Sequence, residues 1–87
     1  MRAKKFAKFT TLLVNWDDIT SDAKWHDAQA IDKADTTSVK TVGFFICNEI
    51  NKNKRRIIKL AHSVAKDGDC DYTCIPYGCI SNIKELK

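Results

Sequence analysis

Apolar residues in this chain come in short runs that alternate with period two. None continues long enough at a period of 3.6 to build a full-length amphipathic helix. Leu12, Val14 and Trp16 alternate with Leu13, Asn15 and Asp17, so residues 9–19 read as a first strand rich in β-branched and aromatic types. Residues 20–22, Thr-Ser-Asp, break that run. Asp27 then suits the N-cap of one short helix over Ala28–Ala34. Ser38–Cys47 is the second strand; apolar residues on both of its faces predict burial on both, and Gly43 within it predicts a bend or the close approach of another backbone. Asn51–Lys54 is a polar hairpin connection, Arg55–Val64 the third strand, and Asp67-Gly68-Asp69 a turn with a hairpin signal. Asp71–Ile75 is a short fourth strand, stopped by Pro76 and followed by a tight turn at Tyr77-Gly78-Cys79. Ile80, Ile83 and Leu86 fit either a one-turn helix leading into a fifth edge strand or a closing helix.

Five short strands with one helix after the first predict a mostly-β fold: a small, partly open five-stranded barrel of the SH3-like or Sm-like kind. Curling a small sheet towards closure hides its edges. With 87 residues there is room for one such domain, expected over residues 9–87 behind a basic N-terminal segment over 1–8. A core this thin gives marginal stability, and oligomerisation is a common remedy. The apolar faces of Ser38–Cys47 lead us to expect a homo-oligomer. Phe9 to Trp16 is interrupted by Thr10, Thr11 and Asn15 and lacks a cleavage site, so it does not read as a secretion signal, and no run reaches the ~20 apolar residues of a membrane span. The expected location is therefore cytoplasmic.

The four cysteines, Cys47, Cys70, Cys74 and Cys79, lack zinc-knuckle spacing. Cys70 and Cys74 on one strand lie about 13 Å apart, too far for a shared metal or a disulfide. They read as small buried hydrophobes, with no metal and no cofactor expected. Asp67-x-Asp69-x-Asp71 fails as a calcium loop, because the glycine falls second and position twelve is Gly78. His26 and His62 are the only histidines, and nothing in the spacing brings either to a cysteine nucleophile. Asp17 and Asp18 point to opposite strand faces. Phosphate-cradling glycine loops, His-Glu-x-x-His and Gly-x-Ser-x-Gly are all missing from the sequence. The expectation is a non-enzyme with no catalytic residue.

Charge is more informative. The first eight residues carry four cations, residues 17–35 carry six Asp against two Lys, and residues 52–66 carry six cations and no acid. Such asymmetry steers an anionic partner or draws one subunit to another. Lys54, Arg55, Arg56 and Lys59 form the densest cluster, and arginine offers planar bidentate donors to phosphate. Alternation along a strand predicts that Arg55 and Arg56 leave opposite faces, with Arg56 at the barrel rim beside His62. Trp16, Trp25 and Tyr77 are aromatics near turns or polar residues. An exposed Trp25 would stack on a base or anchor an interface. The expected ligand-binding set is Arg56, Arg55, Lys54, Lys59, His62, Trp25, Tyr77 and Trp16.

Val14-Asn15-Trp16-Asp17-Asp18-Ile19, Trp25, Ser38-Val39 with Val42-Gly43-Phe44-Phe45, Ile57-Ile58-Lys59-Leu60-Ala61, Ile75-Pro76-Tyr77-Gly78-Cys79-Ile80 and Ile83-Lys84-Glu85-Leu86 form a recognisable pattern over residues 12–86. It resembles a group of small phage-encoded accessory proteins without assigned activity, running from a Val-x-Trp strand to an Ile-Pro-x-Gly-x-Ile close. The resemblance implies the cytosol of an infected bacterium, where such proteins sequester a nucleotide signal of a defence system, bind nucleic acid or inhibit a host protein. The leading expectation is an anti-defence binding protein that captures a phosphate-bearing, nucleotide-derived molecule at a homo-oligomer interface. The alternatives are an Sm-like or OB-like nucleic-acid binder and an inhibitor docked on a host protein.

Overall fold

A computed structural model describes residues 3–19, 25 and 27–86; the expected break at 20–22, together with Lys24 and His26, lies outside the described residues. Within them the chain is mostly β, as expected. The elements are β1 (Thr11–Asp18), α1 (Ala28–Asp32), β2 (Thr37–Ile50), β3 (Arg56–Val64), β4 (Cys70–Pro76), a single 3-10 turn (Tyr77–Cys79) and β5 (Ile80–Glu85). All neighbouring strands pair antiparallel in one sheet of order β4-β3-β2-β1-β5. β4 and β5 are its two edges and do not pair with each other, so the sheet is not closed.

The second strand organises the rest. β2 has 14 residues and is shared between two pairings: Thr37–Phe44 lie against β1, and Phe44–Ile50 against β3. Phe44 is the residue paired on both sides, opposite Thr11 and Ala61. Gly43, just before it, is where the backbones crowd: a Cβ built there would come within 2.9 Å of the Ala61 carbonyl oxygen and 3.1 Å of Leu60 Cβ. This is the close approach that Gly43 predicts. Ile46 is then left without a pairing partner at a bulge, so the residues after it return to register with their faces set by the bulge. Cys47 lies opposite Lys59, whereas Asn48 lies opposite Ile58 on the core side.

Alternation places the core on one face. Leu12 and Val14 from β1, Phe45 from β2, Ile58 and Leu60 from β3, Ile75 from β4, Tyr77 from the turn, and Ile80 and Ile83 from β5 form one cluster, with Trp16 packed against it. Full burial of each large aliphatic contributes about 1.5–3 kcal/mol. The N-terminal segment also joins this cluster. Ala3 and Phe6 pack on it, the Phe6 ring meets Phe45 edge-on at 5.5 Å, and Asn48 Nδ2 donates to the Lys4 carbonyl at 2.7 Å. Phe9, expected to start β1, instead has φ +68°. A turn in which Thr10 donates twice to the Ala7 carbonyl sets up that conformation, and the Phe9 N–H donates to the Phe45 carbonyl at 2.7 Å.

The expected helix ends two residues early, at Asp32. Its start is as the sequence indicates: Asp27 Oδ1 accepts from the Ala30 N–H at 2.8 Å. None of its residues is buried, so among the described residues it lacks the packed face that sustains most helices. The fork at the C-terminus resolves as one 3-10 turn followed by an edge strand, and Ile80 and Ile83 reach the core through a shift in register opposite β1 at Asn15–Trp16. The radius of gyration, 15.8 Å, exceeds the ~12 Å expected for a compact chain of this length. The described residues of the β1–β2 connection, Ile19, Trp25 and 27–36, are all exposed and lie outside the strand pairings; they form the arm.

The thiols depart from expectation. Cys47 is half-buried, but Cys70, Cys74 and Cys79 are exposed, because β4 is an edge strand and Cys79 lies in the turn beyond it. Among the described residues no group of acidic, histidine and cysteine side chains is arranged to hold a metal, and no helix is long and apolar enough to cross a membrane.

Gly43→Ala tests the crossing of β2 over β3. The neighbours of the new methyl are backbone and a core Cβ, neither of which can swing away. We expect a loss of about 1–3 kcal/mol in urea unfolding, the usual cost of overpacking. A parental midpoint would mean that the two strands separate there at little cost.

Candidate anion-binding cleft

The connection from β2 to β3 is a stitched turn. The Asn51 side-chain oxygen accepts from the backbone N–H of Asn53 and of Arg55, each at 3.0 Å, and the Asn51 N–H donates to the Arg55 carbonyl at 2.9 Å. Lys54 stands at φ +61°, a conformation that costs a non-glycine residue about 1 kcal/mol. Its N–H donates to the Asn51 carbonyl, so the turn holds it there. Arg55 belongs to this turn, and β3 begins only at Arg56. Both arginines nonetheless line one cleft.

Lys54, Arg55 and Arg56 line one side of a cleft of about 540 Å³, and Pro76, Tyr77 and Gly78 line the other. The wall is brought opposite the cations by β3–β4 pairing, in which Ile57 faces Pro76. That volume lies within the ~300–1,000 Å³ typical of small-molecule sites. No carboxylate among the described residues pairs with any of the three cations. The lining offers hydrogen-bond donors and positive charge.

Tyr77 is the buried part of this wall. Its ring is in the core, and its hydroxyl donates to the Asn48 side-chain oxygen, whose amide in turn holds the Lys4 carbonyl. Burial pushes its pKa above the usual value near 10, partly offset by the backbone amide of Lys4 and by Asn48. Tyr77 thus positions the cleft floor and does not present its hydroxyl to a ligand.

The other expected residues lie elsewhere. Lys59 is on the opposite face of β3, ion-paired to Glu49, whose carboxylate raises the lysine pKa. His62 is six residues along β3 from Arg56, about 20 Å at 3.3 Å per residue, so the two do not converge. Its Nδ1 is 3.1 Å from the Val42 carbonyl and its Nε2 is 2.6 Å from Thr73 Oγ1. A carbonyl can only accept, so in the neutral ring Nδ1 carries the proton and Nε2 accepts from the threonine hydroxyl. His62 is a clasp across β2, β3 and β4 beside a bulge that also draws the His62 and Ser63 N–H groups to Asp71. Trp16 packs on the core with its Nε1–H donating to Thr41 Oγ1 at 2.9 Å. Trp25 is on the arm and wholly exposed.

Pro76 and Gly78 are cleft residues that sequence reasoning did not select, although the Ile-Pro-x-Gly turn singled out their positions. A second concavity of about 250 Å³ between Phe9, Phe44 and Val64 is shallow and apolar, and offers nothing to orient a polar ligand. No family model, curated protein or solved structure matches the chain.

The raised Tyr77 pKa has a testable sign. Folding favours the neutral phenol, so its contribution is complete below pH ~10, the unfolded value, and is lost as pH rises through the folded value. We expect the stability advantage of the parent over Tyr77→Phe to be constant at neutral pH and to shrink above pH ~10. Denaturant unfolding of both proteins between pH 7 and 11 measures it. A difference that stays flat across that range would mean that the hydroxyl is as well solvated folded as unfolded.

Proposed function

We propose that this protein is a non-catalytic binding protein that captures a compact phosphate-bearing, nucleotide-like molecule in the Lys54–Arg55–Arg56 cleft. The observation that carries the reading is the convergence of three cations, none of them ion-paired to a described residue, on one open cleft. Arginine forks match phosphate oxygens bidentately, and the Pro76–Gly78 wall offers an apolar surface against which a base or ribose can lie. The lining is dominated by cations and an apolar wall, which suits holding an anion. In the phage setting that the sequence pattern suggests, the ligand class is a signalling nucleotide of a bacterial defence system, and the working form is a cytoplasmic homo-oligomer whose second subunit covers the open side of the cleft.

The finer fold reading belongs with this proposal. The strand order, the long β1–β2 connection and the single 3-10 turn between β4 and β5 support a partly open SH3-like or Sm-like barrel. In that arrangement the β2–β3 turn and the 3-10 turn would form adjacent walls of a surface site. The fold likeness adds nothing about the ligand.

Calorimetric titration against cyclic nucleotides, ADP-ribose-type compounds and short oligonucleotides tests the reading. We expect Arg56→Ala to weaken capture about 10- to 100-fold, one charge-assisted hydrogen bond at ~1.5–3 kcal/mol. Lys59→Ala and His62→Gln should leave affinity unchanged. A compact ligand gives a shallow salt dependence, whereas an extended polyanion releases many counterions and gives a steep one. A steep slope would move the assignment to nucleic acid. No binding across the panel, or an Arg56→Ala protein that binds like the parent, would sink the nucleotide reading.

A further inference from the structure

The arm between β1 and β2 carries an excess of one charge, and the cleft carries the other. Residues 17–35 hold six Asp against two Lys. Of these aspartates, Asp17, Asp18, Asp27, Asp32 and Asp35 are described, all are exposed, and none forms an ion pair with a described residue. Large apolar side chains stand exposed among them: Trp25 wholly, Ile19 at 84% and Ile31 at 61%. Isolated exposed apolar residues are ordinary, but three lie on one acidic segment whose helix, α1, buries none of its residues.

The complementary surface is on the same chain. The cleft is lined by Lys54, Arg55 and Arg56 and by Pro76, Tyr77 and Gly78, so cations to which an indole face is attracted stand beside apolar surface. In its own molecule the arm is anchored at Asp18 and Thr37, whereas the cleft lies past Ile50 at the other end of the 14-residue β2, and Trp25 is wholly exposed. We propose that the arm of one copy docks in the cleft of a second copy, aspartates against Lys54–Arg56 and Trp25 against the wall, and that a phosphate-bearing ligand displaces it. The displacement clause rests on the cleft being the anion site; the association between copies does not.

Because the contact is an arm into a cleft, it can be reversed by charge. Asp32→Lys with Asp35→Lys makes a basic arm, and Arg55→Asp with Arg56→Asp makes an acidic cleft; all four side chains are exposed, so folding is preserved. By sedimentation velocity we expect the parent to associate at micromolar concentration in 50 mM salt and to dissociate in 500 mM. Each double variant alone should be monomeric, and an equimolar mixture of the two should associate again. Trp25→Ala should weaken association at least tenfold. Inorganic tripolyphosphate should dissociate the parent at constant ionic strength. A parent that is monomeric at every salt concentration overturns the proposal. So does association that survives both reversals, or a mixture of reversed variants that stays monomeric. An arm that closes on its own cleft gives a change in Trp25 emission independent of protein concentration, which also overturns it. Salt-sensitive association with restoration in the mixture, but without binding of any nucleotide, would keep this inference and discard the proposed function; nucleotide binding by a strict monomer would do the opposite.

Discussion

The fold depends on one strand belonging to two pairings. β2 gives its first half to β1 and its second half to β3, and the handover occurs at Gly43-Phe44-Phe45. Two observations make the handover possible: a residue without a side chain where the Leu60–Ala61 backbone crowds in, and a bulge at Ile46 that resets the faces. Everything positioned beyond the crossing inherits it. The β2–β3 turn, the start of β3 and the β4 residues paired to it are all placed by the second half of β2, and these segments build the cleft.

The cleft is a surface feature fixed by buried chemistry. Its cations sit on a turn held by the Asn51 side chain, and its opposite wall is fixed by Tyr77, whose ring is in the core and whose hydroxyl reaches Asn48. Asn48 also ties down Lys4, so the N-terminal segment, β2 and the 3-10 turn meet at one amide group. A part-buried polar network of this kind stabilises when every member is satisfied. Here no buried side-chain nitrogen or oxygen among the described residues lacks a partner.

The strands, the Asp27 cap and the role of Gly43 were legible in the sequence because each rests on local chemistry: period-two alternation, a carboxylate before a helix, a missing Cβ. The Lys54–Arg56 cluster was legible as composition. Its geometry was not, because whether Arg55 is strand or turn depends on hydrogen bonds to Asn51 that alternation cannot register. His62 was misplaced along its strand. Counting by twos along β3 carries it to the face of Ile58 and Leu60, where it meets Thr73, the partner of Leu60, but at the far end of the strand from Arg56. Lys59 drew attention as a cation, and only strand register reveals Glu49 beside it. Spacing and residue type suggest buried thiols, but exposure is decided by where the sheet ends.

The pairing of β1 with β5 sets Leu12 opposite Glu85 and joins the two ends of the sheet's sequence. Such a contact is as non-local as this fold allows, and non-local pairing slows folding because loop closure precedes any reward. During synthesis, β1 and β2 emerge early with Leu12 and Val14 uncovered, and their cover from Ile80 and Ile83 arrives only with the final strand.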